Sequence, residues 1–238
     1  MCSTLWARLL KIYNMTNYYS EILNSNNLEK CYKIAPLRVK QFLEAEINFV
    51  LNSIKQNDIV LDLGCGYGRV AFRLSEKAKK VIGIDISKDN IQMAKKISKT
   101  NKKFNFYTMD AKKLDFHDNY FDTTICVQNG ISAFKVDPSE LLKESVRVTK
   151  KGGTILYSSY SEKFWYHRLK WFQIQSEHKL LGEIDYDLTR NGFIVCKDGF
   201  RATTYSGQEF LELASKFNVQ SDIYEIDNSS VFCKMIVK

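Results

Sequence analysis

Residues 58–69 read Asp-Ile-Val-Leu-Asp-Leu-Gly-Cys-Gly-Tyr-Gly-Arg, and this stretch decides the fold. The run Ile59, Val60, Leu61 and Leu63 has the length and branching of a buried strand. It carries Asp62 near its end and breaks into a loop with Gly64, Gly66 and Gly68. Apolar Val70, Ala71 and Leu74 then recur at helical spacing. Strand, glycine loop and helix together form a nucleotide-binding turn. Glycine lets the backbone turn sharply and a ligand approach closely, and a helix start offers unpaired N–H groups. A dinucleotide site requires G-x-G-x-x-G. Here the spacing is G-x-G-x-G and position 69 is Arg69, so that fingerprint fails.

Downstream the pattern alternates. Residues 80–84 (KVIGI) form a second strand ending at Asp85, and Ser87 caps a helix carrying Ile91, Met93, Ala94 and Ile97, with Asn90 at the capping-box position. Phe104–Thr108 is a third strand leading to Asp110, and residues 121–127 (FDTTICV) are a fourth. Residues 137–149 are a helix opened by Pro138, residues 151–153 (KGG) a turn and residues 154–159 (TILYSS) a fifth strand. Such alternation implies a parallel sheet covered by helices on both faces.

Upstream, residues 16–55 read as helices, the second of which has Leu37, Phe42, Leu43, Ile47, Val50 and Leu51 on one face, with Pro36 in its first turn. Beyond the fifth strand the alternation lapses. Residues 162–179 are aromatic-rich and helical, and residues 183–187 pair with 193–196 in a hairpin about Asn191-Gly192. Residues 207–217 are helical, and strands 219–226 and 231–237 join at Asp227-Asn228.

The glycine loop, as LDLGCGYG, resembles the first motif of class I S-adenosylmethionine-dependent methyltransferases. Asp85, 23 residues after Asp62, the phrase TMDAKKLDF around Asp110, the fourth strand FDTTICV and the segment RVTKKGGTILYSS follow in the order of that family over residues 58–159. The resemblance implies a Rossmann-like α/β sheet of seven mostly parallel strands in the order 3-2-1-4-5-7-6, the last strand antiparallel. The parse is one methyltransferase domain, with an N-terminal helical cap over 1–55, a cofactor-binding core over 56–160, a substrate-covering insertion over 161–205 and a C-terminal helix and strand pair over 206–238.

The implied cofactor is S-adenosylmethionine. Gly64 and Gly66, with Cys65 between them, would meet its methionine part through backbone, and Asp62 its ammonium. Asp85 and Ile86 would flank ribose and adenine, a carboxylate at Asp85 accepting from both ribose hydroxyls. Asp110 and Ala111 would bind adenine, and Gly68 would let the helix pack on the sheet. Val127 and Gln128, ending the fourth strand, complete the cofactor set. Arg38 is a candidate for the methionine carboxylate, where a guanidinium fork fits; its alternative is a surface arginine.

The fourth strand runs into Gln128-Asn129-Gly130 with no proline, where base-modifying amino-methyltransferases of this superfamily carry Asp/Asn-Pro-Pro-Tyr/Phe. That departure argues against base N-methylation. The loop looks more like that of glycine- and sarcosine-type small-molecule N-methyltransferases. Asn129-Gly130 reads either as a turn or as a substrate-facing pair. Cys126 reads as a buried thiol or a nucleophile.

A small-molecule methyl acceptor is the expected substrate. Methyl transfer requires alignment more than a dedicated base, and His167 and Asn129 are the catalytic candidates. Tyr18, Tyr19, Asn129, Tyr160 and Trp165 are the substrate candidates, and Asp198 and Arg201 further polar contacts. Phe164, Tyr166 and Trp171 share the insertion and serve equally as pocket or as core. Two rivals stand beside this reading: a methyltransferase acting on RNA or protein, and a non-catalytic cofactor-binding module.

Composition bounds the rest. The net charge is +8, its excess in residues 1–119, with lysine pairs at 79–80, 95–96, 102–103 and 112–113. These read as solvated faces or as a nucleic-acid surface; the pairs are dispersed, with little interleaved aromatic or arginine content, which disfavours nucleic acid. No apolar run reaches the roughly 18 residues of a membrane span. Arg8 and Lys11 interrupt the apolar start, so it does not read as a signal peptide, and Met15 is an alternative start. Six cysteines without C-x-x-C spacing read as free thiols in the cytoplasm, with no metal site.

Overall fold

A computed structural model describes Tyr18 and residues 22–238. Readings that fall on residues 1–17 and 19–21, including Tyr19 and the alternative start, lie outside the described residues.

The elements in chain order are α1 (Ser25–Lys33), α2 (Leu37–Ser53), β1 (Ile59–Leu63), α3 (Arg69–Leu74), β2 (Lys80–Asp85), α4 (Lys88–Ser98), β3 (Phe104–Thr108), β4 (Phe121–Cys126), α5 (Gly130–Ala133), α6 (Pro138–Val148) and β5 (Thr149–Tyr160). A 3-10 turn (Glu162–Phe164) leads into α7 (Trp165–Glu177), followed by β6 (Phe193–Val195), β7 (Arg201–Thr203), α8 (Gly207–Ala214), β8 (Val219–Ile226) and β9 (Ser230–Val237).

The main sheet has seven strands in the order β3-β2-β1-β4-β5-β9-β8. With the small β6–β7 hairpin set aside, this is the expected 3-2-1-4-5-7-6. Strands β3, β2, β1, β4 and β5 pair in parallel, and β9 is antiparallel to both its neighbours. β1 is apolar except for Asp62, as suits a strand covered by helices on both faces of the sheet. One core layer joins Leu61, Leu63, Ile82 and Ile84 to Leu141, Leu142 and Phe210, on the side of α6 and α8. The other joins Val60, Val81 and Ile125 to Ile47, Val50 and Ala71, on the side of α2 and α3. A third cluster gathers Phe42, Phe164, Trp171 and Phe200, binding the N-terminal helices to the insertion. Strand order reverses between β1 and β4, so a crevice opens at the carboxyl ends of these strands.

Three local details extend or differ from the expectations. The hairpin about Asn191-Gly192 forms as expected, Arg190 and Phe193 exchanging backbone hydrogen bonds at 2.9 and 2.8 Å with Gly192 at φ +81°. Residues 183–187 reach 193–197 through the Ile184–Cys196 bridge, Asp185 N–H to Val195 O at 2.9 Å and Lys197 N–H to Glu183 O at 2.8 Å. Phe193–Val195 pairs in addition with Arg201–Thr203, across a second turn at Asp198-Gly199. The turn expected at residues 151–153 is an irregularity inside the long strand β5, whose register against β4 shifts between Phe121 and Thr123. The loop after β4 continues into the one-turn helix α5, which sequence spacing did not reveal.

Candidate active site

The glycine loop is held from behind by the sheet. Cys65 N–H donates to Ile84 O at 2.9 Å, drawing the loop over the end of β2. Gly83 lies directly beneath, where an added Cβ would stand 2.8 Å from Cys65 Sγ. Gly66 N–H donates to Asp85 Oδ2 at 2.9 Å, so the first and second strand ends are tied through the carboxylate. Asp85 Oδ1 accepts from Ser87 N–H at 2.8 Å and from Asn90 Nδ2 at 3.3 Å. Burial raises the Asp85 carboxyl above its usual range.

Two cavities flank this loop. One, of about 40 Å³, is lined by Asp62, residues 63–67 and Arg69 from the sheet side and by Leu28 and Tyr32 from α1. The other, of about 130 Å³, is lined by Gly64, Gly66, Asp85, Ile86, Val127, Gln128, Asn129 and Phe134, among others. A larger cleft of about 770 Å³ lies between the insertion and β8–β9, and no residue of the glycine loop lines it. The chemistry therefore places the site at the smaller cavities.

Asp62 is buried, and its Oδ2 has no hydrogen-bond partner among the described residues. Burial, reinforced by the nearby Asp85 charge, pushes its carboxyl up to about 8. Arg69, at the start of α3, lines the same cavity and leaves Nε and Nη2 buried without partners. Its guanidinium lies 4.6 Å above the Tyr32 ring. Tyr32 in turn donates to Gln128 Oε1 at 3.0 Å, while Gln128 Nε2 stays buried without a partner. Behind these groups Glu46 of α2 is buried, accepts from Ser230 Oγ at 2.9 Å, and is pushed up to about 7 by burial.

Unpaired buried polar atoms of opposite sign in one cavity are costly without a ligand. They match an amino-acid zwitterion, ammonium toward Asp62 and carboxylate toward Arg69. Gly64 and Gly66, at φ +69° and +56°, keep side chains away from the approach. Ile86, 47% exposed, offers an apolar lip beside Asp85. The residues present thus fit S-adenosylmethionine.

The structure brings Asp62, Gly64, Cys65, Gly66, Asp85, Ile86, Val127, Gln128 and Asn129 to these two cavities. Gly68 lies below, at φ +92°, where an added Cβ would stand 2.9 Å from Phe72 and 3.1 Å from Phe106. Asn129 is also a brace: its Nδ2 donates to Thr203 O at 2.8 Å, and its Oδ1 accepts from Ser159 Oγ at 2.7 Å. Tyr160 lines the aromatic cavity next to the loop.

Other candidates are placed elsewhere. Arg38 does not reach the loop; its Nη1 and Nη2 bind Asp227 Oδ2 and O, each at 2.6 Å, because the tight β8–β9 turn presents both acceptors to α2. Tyr18 is buried in the cap, its hydroxyl donating to Asp198 Oδ2 at 2.6 Å and its ring against Phe200, and neither Tyr18 nor Asp198 lines the two cavities at the glycine loop. His167 packs against Phe164 and Tyr166, and Trp165 against the cap cluster; neither lines a cavity at the loop. Asp110 closes its own turn, accepting from Lys112 N–H at 3.0 Å, and the Ala111 side chain enters the core. Arg201 sits on the hairpin strand β7 with Nε buried and unpartnered. Cys126 is wholly buried, and burial pushes its thiol well up, away from nucleophilic use. Among the described residues no cluster of His, Cys, Asp and Glu is placed to hold a metal ion, and no helix is long and apolar enough to cross a membrane.

Sequence reasoning missed Leu28, Tyr32 and Arg69. Arg69 was visible, but only as the residue that broke a dinucleotide pattern. A basic residue at the first turn of a helix, where the dipole disfavours it, was the available signal.

This fold is that of the class I S-adenosylmethionine-dependent methyltransferases. Residues 60–153 match the family model described as a methyltransferase domain. The chain is 25% identical over 158 residues to the ubiquinone biosynthesis O-methyltransferase of Hydrogenovibrio crunogenus, covering 62% of this chain and 61% of that protein. It is 28% identical over 137 residues to the 2-methyl-6-phytyl-1,4-hydroquinone methyltransferase of a Synechocystis species, covering 54% and 42%. The matched segments thus span about half the length of these relatives. The crystal structure of PH0226 protein from Pyrococcus horikoshii OT3 has the same fold, with a TM-score of 0.64 at 23% identity over 96% of this chain and 99% of that one.

Proposed function

We propose that this chain is an enzyme that transfers a methyl group from S-adenosylmethionine to a small molecule. The observation that carries the reading is an acid and a base in one cavity at the glycine loop with polar atoms left unpartnered, Asp62 Oδ2 and Arg69 Nε and Nη2. Asp62 holds the ammonium of the methionine part and Arg69, rather than Arg38, its carboxylate. Gly64 and Gly66 approach it through backbone. Asp85 accepts from the ribose hydroxyls, and Ile86 covers the adenine.

When bound, S-adenosylmethionine would supply an electrophilic methyl to the acceptor's lone pair and would leave as S-adenosylhomocysteine. The protein's part is alignment and exclusion of water. α1 and α2 cover the glycine loop from one side, and the insertion covers the end of β5 from another. A single domain of four parts, cap, core, insertion and C-terminal pair, accounts for this arrangement. The relatives' names, one an O-methyltransferase of ubiquinone biosynthesis and one a hydroquinone methyltransferase, support a small acceptor. Five free cysteines among the described residues fit a reducing, cytoplasmic setting.

The test is the fate of a labelled methyl group. The chain is incubated with methyl-labelled S-adenosylmethionine and a cell extract, then fractionated by size. Label in the low-mass filtrate supports the proposal. Label confined to RNA or protein favours the macromolecular rival, and no transfer despite cofactor binding favours a non-catalytic module.

A further inference from the structure

A third cavity, of about 70 Å³, adjoins the two at the glycine loop. It lies between α1, α2, α7, the end of β5 and the loop after β4. Its walls include Cys31, Leu43, Tyr160, Trp171, Phe172 and Gln175. Three further residues, Leu28, Tyr32 and Gln128, line this cavity and both cavities at the loop. They form the partition between the cofactor region and the space under the cap.

We infer that this third cavity is the acceptor site and that it selects a compact, uncharged acceptor; the inference rests on the methyltransferase reading above. Among the described residues none that lines the cavity carries a charge. A carboxylate or ammonium brought there would lose its hydration with no opposite charge among the lining residues; the nearest guanidiniums, Arg69 over the Tyr32 ring and Arg168 over Tyr160 and Phe172, face those rings and do not line the cavity. The polar groups present are neutral. Gln175 is buried at 4% exposure. Gln128 has its carbonyl oxygen engaged by the Tyr32 hydroxyl, which leaves its buried Nε2 as a donor in need of an acceptor. A neutral ligand with one hydrogen-bonding group satisfies these amides, and its apolar body meets Trp171, Phe172 and Tyr160.

The walls are fixed rather than pliant. Trp171 Nε1 donates to Cys31 O at 3.0 Å, pinning α7 to α1. Gln128 N–H donates to Ser158 Oγ at 2.9 Å, fixing the partition to β5. The reacting methyl is therefore expected at the Leu28–Tyr32–Gln128 partition, because only there do the two spaces share walls.

The experiment uses the full chain saturated with S-adenosylhomocysteine, whose binding is first measured by calorimetry. Phenol, benzoate and benzylammonium, which differ in charge around one ring, are then titrated by ligand-observed NMR. Phenol is expected to bind saturably and at least about tenfold more tightly than either charged probe. Gln175→Leu is expected to weaken phenol by roughly five- to tenfold, the loss of one buried hydrogen bond, and to leave S-adenosylhomocysteine affinity unchanged. Gln175→Glu is expected to shift preference toward benzylammonium, a gain that misfolding does not produce. A charged probe that binds as tightly as phenol, or phenol binding indifferent to both substitutions, overturns the acceptor assignment while the cofactor reading stands. Absence of S-adenosylhomocysteine affinity overturns the cofactor reading, and the acceptor assignment with it.

Discussion

Asp62 at the end of β1 and Arg69 at the start of α3, an acid and a base, face one cavity, yet no ion pair joins them among the described residues. Each is left to a third group. Because burial holds the Asp62 carboxyl up at about 8, the ligand-free site is protonated near neutrality. A ligand ammonium requires the ionised form. Affinity for S-adenosylhomocysteine should therefore rise between pH 6 and pH 8, by up to about tenfold per unit, and level off above. Calorimetry at several pH values checks this, and a flat profile contradicts it.

The same burial sets the pH dependence of stability. An acid whose folded value lies above its unfolded value contributes stability that is present below the unfolded value and lost as pH rises through the folded one. For Asp62 the window runs from about 4 to about 8, and Glu46, pushed up to about 7, adds to it. Ligand-free Asp62→Asn should melt at a higher temperature than the wild type at pH 8.5, and the difference should shrink at pH 5. Differential scanning calorimetry at the two pH values reads this directly.

The two arginines separate by position. Arg38 pairs with Asp227 at the surface, with side chains 27% and 42% exposed. Arg38→Met should cost no more than about 1 kcal/mol of stability and leave cofactor affinity unchanged. Arg69→Met should reduce affinity by roughly tenfold or more, since a charge-assisted hydrogen bond is lost. Equal effects of the two substitutions on binding would count against the assignment of Arg69.

Gly68 should tolerate no side chain. At φ +92° an L residue is strained, and the added Cβ would meet Phe72 and Phe106, both packed in the core. Gly68→Ala is expected to destabilise by about 1–3 kcal/mol, measurable by urea unfolding. A change within 0.5 kcal/mol of zero would mean the helix start relaxes freely.

Much of this was legible in the sequence. The acids Asp62 and Asp85 at strand ends and the tight turn at Asp227-Asn228 follow from local patterns, since apolar runs and turn residues act over short range; the strand order came from the resemblance of residues 58–159 to the methyltransferase family. Both turn residues have positive φ, and Ser229 N–H closes the turn on Ile226 O at 3.0 Å. What sequence did not disclose depends on distant contacts. Arg38 is drawn to Asp227 across 189 positions, and Tyr18 to Asp198 across 180. His167 is turned into the aromatic packing of α7, a direction that helical spacing alone does not fix. The role of Tyr32 arises because α1 lies over the glycine loop, and nothing in α1 itself announces that.

The central claim is tested most directly by titrating S-adenosylhomocysteine into the full chain at pH 8, beside Asp62→Asn. The account predicts one-to-one binding in about the micromolar range for the wild type, near −8 kcal/mol, and a loss of at least about a hundredfold for the variant. No binding by the wild type at millimolar ligand, or equal affinity in both proteins, would contradict it.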